Sequence, residues 1–468
     1  MQPILMNLGG NKMKRKLKLV TPLMVLVLMF GVLTACGGNS NENKQASSPA
    51  ASGKASEEAS PAASAAAAKP VKLTFATMAN GDSESQAFKE IFASFEKETG
   101  HTVDFQILPD VNQYENIIKT RFATQDAPDI FYFFAGPNEY VTMQAEKNLV
   151  EMTSEAYVGN LTSAVKDFYT VDNKIYGIPW GSYNAMGVMY NKEVYNSNGL
   201  SIPNNYEELL ANAEKLKAAG ITPFYEAVKT GWPTQIFPLA AFQSMVMPTI
   251  DGEAGVQKLI ANTLRFNEIP EMKKVYELQY DLKNKGYYNK DLLAGTYEMQ
   301  QEQLANGTAA MAFQADWMLP EISKRFSDKV NNIGFFPLPS HSDAGIVSLY
   351  PPKQIFVTKT SPRVEAAKAL ANFMTKPESL AIWYKYNPGI PVYNGVDTTL
   401  FPGQQDIYNY IQEGKGIIQI QLRLPAGIID FDKITQELVG KGDAQKAVDQ
   451  MDKNYRMDGR NKKVPGFE

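Results

Sequence analysis

The stretch Tyr176–Tyr195, YGIPWGSYNAMGVMYNKEVY, decides how the rest of the chain is read. It begins as a short apolar strand (Tyr176, Ile178) and breaks at Pro179, which has no N–H to give a sheet ladder. Trp180-Gly181-Ser182-Tyr183-Asn184 follows, then a second apolar run from Ala185 to Tyr190, and Asn191-Lys192 opens a helix. Two extended runs parted by aromatic, glycine and amide residues suit a strand that passes from one lobe to another, with a polar site at the passage. Small ligands settle in clefts of that kind. On these residues alone, a buried strand pair with a bend reads equally well.

Upstream, the chain changes character twice. Lys12–Lys18 and the apolar run Leu19–Leu33 read as a secretory signal over residues 1–35, ending Leu33-Thr34-Ala35-Cys36. That ending resembles the bacterial lipobox, in which the cysteine is lipidated. An uncleaved anchor helix is the alternative, although the run is short for a membrane span. Cys36 is the only cysteine, so no disulfide forms within the chain. Residues 36–69 are Ala, Ser, Gly, Pro, Asn and charged residues, too poor in large apolar side chains to offset their ordering entropy. A flexible linker is expected there, and a globular body of two lobes from Pro70 onward.

Charge bounds the partners. Residues 1–35 hold five cations and no acid, so of the net −4 the remainder of the chain carries −9. An acidic body without a basic stripe argues against nucleic acid.

The body opens with a period-two strand (Val71, Leu73, Phe75). A turn follows, Asn80-Gly81-Asp82-Ser83, and then a helix with Phe88, Ile91, Phe92 and Phe95 at helical spacing, stopped by Gly100. Val103, Phe105 and Ile107 give a second strand, Tyr114–Thr124 another helix, and Ala127–Phe134 a third strand ending at Ala135-Gly136. Such β-α-β order implies parallel pairing under helices, with ligands at the carboxyl ends of the strands. Asn80, Asp82 and Gly136 are therefore candidate contacts, and plain helix capping explains the first turn as well. Further on, helices are expected after Ile202-Pro203, over Val364–Thr375, and twice between Gly427 and Tyr455 around Gly440-Lys441-Gly442.

Signatures of catalysis are sparse. The chain has two histidines, His101 and His341, neither beside another metal ligand, and no nucleophile-elbow, phosphate-loop or zinc-helix motif. No cofactor and no metal are expected; a carboxylate-pair hydrolase stays open. Of four tryptophans, Trp383 sits in a helical pattern and reads as core, while Trp180, Trp232 and Trp317 fall in loops after strands. A loop tryptophan is either a lid on the core or a stacking platform. Sugar C–H faces suit an indole while the hydroxyls want amide and carboxylate partners. Asn184, Glu226 and Asp316 neighbour the three.

Taken in order, Ala127-Pro128-Asp129-Ile130-Phe131, Tyr176-Gly177-Ile178-Pro179-Trp180 with Met189-Tyr190-Asn191-Lys192, Pro203 with Tyr206-Glu207-Glu208-Leu209, and Gly307-x-x-Ala310-Met311 with Asp316-Trp317 form one pattern. It resembles that of the extracellular solute-binding proteins of family 1, over nearly all of Val71–Tyr455. Asp316 departs from the small residue usual at its position, and Tyr206 stands near where Trp is commoner. The resemblance implies a periplasmic-binding-protein-like α/β fold of two lobes, each a helix-flanked, mainly parallel sheet, joined by a hinge crossed more than once. It places residues 70–183 and 345–392 in the first lobe, and 184–344 and 393–468 in the second. It implies ligand contacts at Asn184 and Trp317, and less directly at Gly427–Phe431, where Asp430 is the acidic candidate. Trp180, Tyr183, Trp232 and Asp316 complete the expected site. The function implied is a monomeric, lipid-anchored receptor at the outer face of the cell membrane, not an enzyme. It would capture a carbohydrate, an oligosaccharide above all, for the permease subunits of an ABC importer. A glycan-degrading surface lipoprotein and a ligand sensor for a membrane kinase remain alternatives.

Overall fold

A computed structural model of the chain describes residues 69–78, 82–108 and 111–468. The signal peptide, Cys36, the linker up to residue 68 and Asn80 lie outside the described residues.

Strand β1 (Lys72–Met78), helix α1 (Asp82–Thr99), strand β2 (Thr102–Leu108), helix α2 (Val111–Ala123) and strand β3 (Ile130–Phe133) follow one another as the periodicity predicts. β1 pairs in parallel with both β2 and β3. Phe88, Ile91, Phe92 and Phe95 are all buried under α1, and Phe75 of β1 meets the rings of Phe88 and Phe92 at 5.1 and 4.9 Å. Gly100 ends α1 at φ +74°, its N–H donating to the Glu96 carbonyl at 2.9 Å, a conformation costly for any residue with a Cβ. A short helix, α3 (Pro137–Met143), follows β3.

The remaining strands are β4 (Gly177–Pro179), β5 (Ser182–Asn191), β6 (Thr222–Phe224), β7 (Ala309–Ala315), β8 (Ile333–Phe336), β9 (Val347–Tyr350), β10 (Gln354–Val357), β11 (Ile390–Pro391) and β12 (Gly416–Ile418). The first sheet runs β2-β1-β3-β10-β4, and the second β12-β9-β5-β7-β6, with β8 and β11 also on β5. The sheets were expected to be mainly parallel; both are mixed. β10 lies antiparallel to β3 and β4, and β5 lies antiparallel to β7, β8, β9 and β11. The antiparallel pairings gather on β5 and β10, strands that flank the passages between lobes, which a reading of the β-α-β units alone does not reach.

The passage itself is at Trp180-Gly181, between β4 in one sheet and β5 in the other. A second passage, Pro351-Pro352-Lys353, lies beside it between β9 and β10, and the Trp180 N–H donates to the Lys353 carbonyl at 2.9 Å. Because β9 pairs with β5, this passage falls after Tyr350, several residues beyond the boundary expected at 344/345. The chain returns at β11, whose Ile390 and Pro391 pair with Tyr183 and Ser182.

Prolines at 179 and 352 remove N–H donors, and irregular backbone here leaves carbonyls to satisfy. Buried tyrosines do so. Tyr393 donates to the Pro179 carbonyl at 2.7 Å, Tyr132 to Trp180 at 3.0 Å, Tyr384 to Gly181 at 2.7 Å, and Tyr169 to Pro352 at 2.5 Å. Burial holds all four phenols far above the ordinary tyrosine range, so each remains a neutral donor. One continuous set of buried side chains runs beneath the passage, from Leu73 and Phe75 through Trp180 and Trp383 to Ala185, Met189 and Ala312.

Tyr384→Phe, which removes one hydroxyl and strands the Gly181 carbonyl, is expected to cost about 1–3 kcal/mol in denaturant unfolding. Tyr408→Phe, at an exposed tyrosine, is the control and leaves the midpoint unchanged. Equal midpoints for both variants would mean that the carbonyl finds another donor.

Candidate functional site

Between the two sheets lies a cleft of about 1070 Å³, at the upper end of small-molecule sites, which span ~300–1,000 Å³. Strand parity decides what faces it. Along β5, Ser182, Asn184 and Met186 line the cleft; Tyr183 and Ala185 point the other way into the core. At the end of β3, Tyr132 and Phe134 line it and Phe133 does not.

The wall from the second sheet is aromatic. Trp317 follows β7 and meets Trp232 at 5.9 Å and Tyr350 at 5.7 Å, both near edge-on, and Trp232 meets Tyr297 at 4.9 Å. A chain of buried amides holds Trp317 from behind. Its Nε1–H donates to Gln314 Oε1 at 2.9 Å, Gln314 Nε2 donates to Gln300 at 3.1 Å, and Gln300 donates to the Tyr225 carbonyl at 2.7 Å. The indole is thus fixed in angle before anything binds.

The wall from the first sheet is charged. Glu84, in the first turn of α1, and Glu139, in the first turn of α3, each carry a solvent-shielded Oε2 with no hydrogen-bond partner among the described residues. Burial, with Glu115 adding to it and Lys462 opposing, pushes the Glu139 carboxyl up to about 7. Lys353, in the second passage, stands over the rings of Tyr132 at 5.3 Å and Phe134 at 5.8 Å. Burial pulls its ammonium below the usual lysine range, against the nearby charge of Glu84. Trp383, expected in the core, is buried yet forms part of this wall. Among the described residues no group of three His, Cys, Asp or Glu side chains is placed to hold a metal.

Of the expected contacts, Asn184, Trp232 and Trp317 come together in the cleft. The other expected contacts among the described residues do not line it. Trp180 is fully buried against Trp383 at 5.4 Å, beneath the passage, because the core continues there. Tyr183 is buried on the opposite face of β5. Asp82 is exposed at the start of α1, and the next two residues, Ser83 and Glu84, are the ones that face inward. Gly136 (φ +116°) serves a close approach: a Cβ there would stand 2.6 Å from the Leu422 carbonyl of the other lobe. Beside it, Lys462 donates to Asn138 at 2.7 Å, a second lobe-to-lobe contact. Asp430 turns away at the start of the helix Phe431–Lys441 and pairs with Lys433, while Gly427 reaches the lining. Glu84, Glu139, Lys353, Tyr132 and Trp383 were missed. The strand-end rule pointed two residues from Glu84 and three from Glu139 without saying which way a side chain turns, and it did not reach Lys353 or Trp383.

Residues 80–381 match the model of a family described as bacterial extracellular solute-binding protein. The chain is 24% identical over 333 residues to the multiple sugar-binding protein of Streptococcus mutans, covering 69% of this chain and 76% of that one. It is 23% identical over 318 residues to the melibiose/raffinose/stachyose-binding protein MelE of Bacillus subtilis, covering 66% and 71%. Among solved structures, the binding protein RafE in complex with raffinose superimposes with a TM-score of 0.70 at 20% identity, covering 82% of this chain and 98% of that one.

Two acids that the sequence sets beside tryptophans lie off the cleft. Asp316 is fully buried; it accepts from the Ala185 N–H at 2.8 Å and from Gln404 at 3.2 Å, tying β5 to β7, and burial pushes it up to about 7. Glu226 is buried in the second lobe, with Oε1 on the Ala227 N–H at 3.0 Å, Oε2 unpartnered, and burial raising it to about 8. A carboxyl whose folded pKa is raised binds its proton in the native state while the unfolded chain has released it. Its contribution to stability is therefore whole below pH 4.5 and is lost as pH rises to about 8. Glu226→Gln is expected to leave the unfolding midpoint at pH 5 nearly unchanged. At pH 9 it should gain on the order of 1–3 kcal/mol over wild type. Parallel stability curves across that range would show that Glu226 does not titrate there.

Proposed function

The chain belongs to the bacterial extracellular solute-binding proteins, a family of receptors and not of enzymes, and on that premise we propose that it captures an oligosaccharide in the interlobe cleft. The observation that carries this reading is the pairing of walls. A row of fixed aromatic rings (Trp232, Trp317, Tyr350) faces a wall of half-buried charged groups, in which Glu84 and Glu139 each keep one shielded oxygen without a partner among the described residues. A pyranose has apolar C–H faces for the first wall and a rim of hydroxyls for the second. The volume suits more than a monosaccharide, and the named relatives bind sugars, in one solved case raffinose.

The ligand shifts the lobes toward closure by its differential affinity for the closed arrangement, since it touches both walls only there. Micromolar affinity corresponds to about −8 kcal/mol. Several hydrogen bonds of about 0.5–1.5 kcal/mol net, with stacking on Trp317, reach that after ordering costs. The loaded receptor then delivers its sugar to the permease subunits of an ABC importer. The Leu33-Thr34-Ala35-Cys36 ending supports a lipid on Cys36 that keeps the receptor, a monomer, at the outer face of the cell membrane.

A thermal-shift screen over neutral oligosaccharides identifies the ligand, because binding to the folded state alone raises the midpoint. With that ligand, Trp317→Ala is expected to weaken binding by calorimetry by about 2 kcal/mol, roughly thirtyfold, at an unfolding midpoint near wild type. Unchanged affinity would remove Trp317 from the site.

A further inference from the structure

Resting on the carbohydrate reading above, we propose that Glu84 and Lys353 form a selectivity pair that accepts an uncharged, hydroxylated ring at the first-lobe end of the cleft and rejects acidic saccharides. The two come from distant parts of the chain, α1 and the second passage, and both line the cleft. They feel each other's charge yet make no ion pair, and Lys353 has no carboxylate oxygen within 4.0 Å among the described residues. Glu84 leaves Oε2 without a donor, and Lys353 spends its ammonium on ring faces. The Trp383 indole N–H, buried at the same wall, has no acceptor among the described residues.

Charges held half out of water without partners are costly, so a site that keeps two of opposite sign apart is built for something placed between them. A hydroxyl donates one hydrogen bond and accepts others, so adjacent ring hydroxyls serve both groups at once: one O–H gives its proton to Glu84, and a hydroxyl oxygen accepts from Lys353. A carboxylate or phosphate on the sugar meets Lys353 but offers Glu84 no donor. It also enters a lining with five glutamates (84, 115, 139, 298, 321) against one lysine and one arginine. Like charges brought together in the cleft oppose binding.

The test uses the full chain and a panel of raffinose, cellotriose and maltotriose. The tightest binder is compared by calorimetry with the same trisaccharide carrying a terminal hydroxymethyl group oxidised to the carboxylate. Wild type is expected to bind the uronate at least about tenfold more weakly. Glu84→Gln, isosteric and uncharged, should bring that ratio to within about threefold, and Lys353→Met should weaken the neutral sugar at least about tenfold. Wild-type unfolding midpoints for both variants guard against misfolding, and the wild-type ratio is read without either variant. Equal affinities of wild type for the two sugars, or an unaltered ratio in Glu84→Gln, overturn the pair and leave the carbohydrate reading standing. A folded wild type that binds no member of the panel overturns both.

Discussion

Everything in this molecule depends on how the backbone is satisfied where it changes sheets. Pro179 and Pro352 deny the two passages a regular ladder, and a single loop backbone hydrogen bond among the described residues, Trp180 to Lys353, joins them directly at that point. The carbonyls of Pro179, Trp180, Gly181 and Pro352 are answered instead by four tyrosine hydroxyls brought from strand β3, the helices Ser163–Tyr169 and Pro377–Tyr386, and the segment after β11. An unmet buried carbonyl costs about as much as a lost hydrogen bond, so the four phenols hold each passage in one conformation. Side-chain caps have a further property. They turn on single bonds, whereas a ladder is locked by its register, and so a hinge capped in this way keeps its hydrogen bonds through a small rotation.

The same passage sets the floor of the cleft. Because β5 starts one residue after Gly181, its parity is fixed there, and Ser182, Asn184 and Met186 turn toward the cleft for the length of the strand's first half. Trp180, one step earlier, is driven into the core that continues beneath. Lys353 arrives at the cleft because the second passage lies alongside the first. Hinge and binding wall are thus one piece of backbone, so a ligand that contacts Asn184 and Lys353 touches the hinge itself.

Much of this was legible in the sequence. Helical periodicity located α1 and its buried phenylalanines, turn residues located its end, and the YGIP–YNK stretch marked the passage between lobes. What was not legible shares one physical cause: long-range pairing. The mixed direction of the sheets follows from β10 and β5 meeting strands far away in sequence. The place of β9 in the second sheet likewise follows from pairing with Asn184–Met186. Trp180 reads as a loop residue because glycine and proline flank it, and only the continuation of the core across both lobes reveals it as packing. Strand-end logic came within two residues of Glu84 and three of Glu139, but a local signal does not carry the parity that turns one neighbour inward and the next outward.

Buried carboxylates show why burial alone does not locate a site. Asp316 and Glu226 are as shielded as anything in the cleft, and both are pushed to high pKa by desolvation. Asp316 has a full set of donors within the protein and joins two strands, so it is part of the scaffold. Glu226 has an empty oxygen but does not line the cleft, so the cost of its charge falls on stability. Glu84 and Glu139 combine both features, an unanswered oxygen and a cavity in front of it. That conjunction separates a group waiting for a partner from one that merely tolerates burial. In this fold it occurs on the wall opposite the anchored indoles, where a ligand with one apolar face and one hydroxylated rim would complete both.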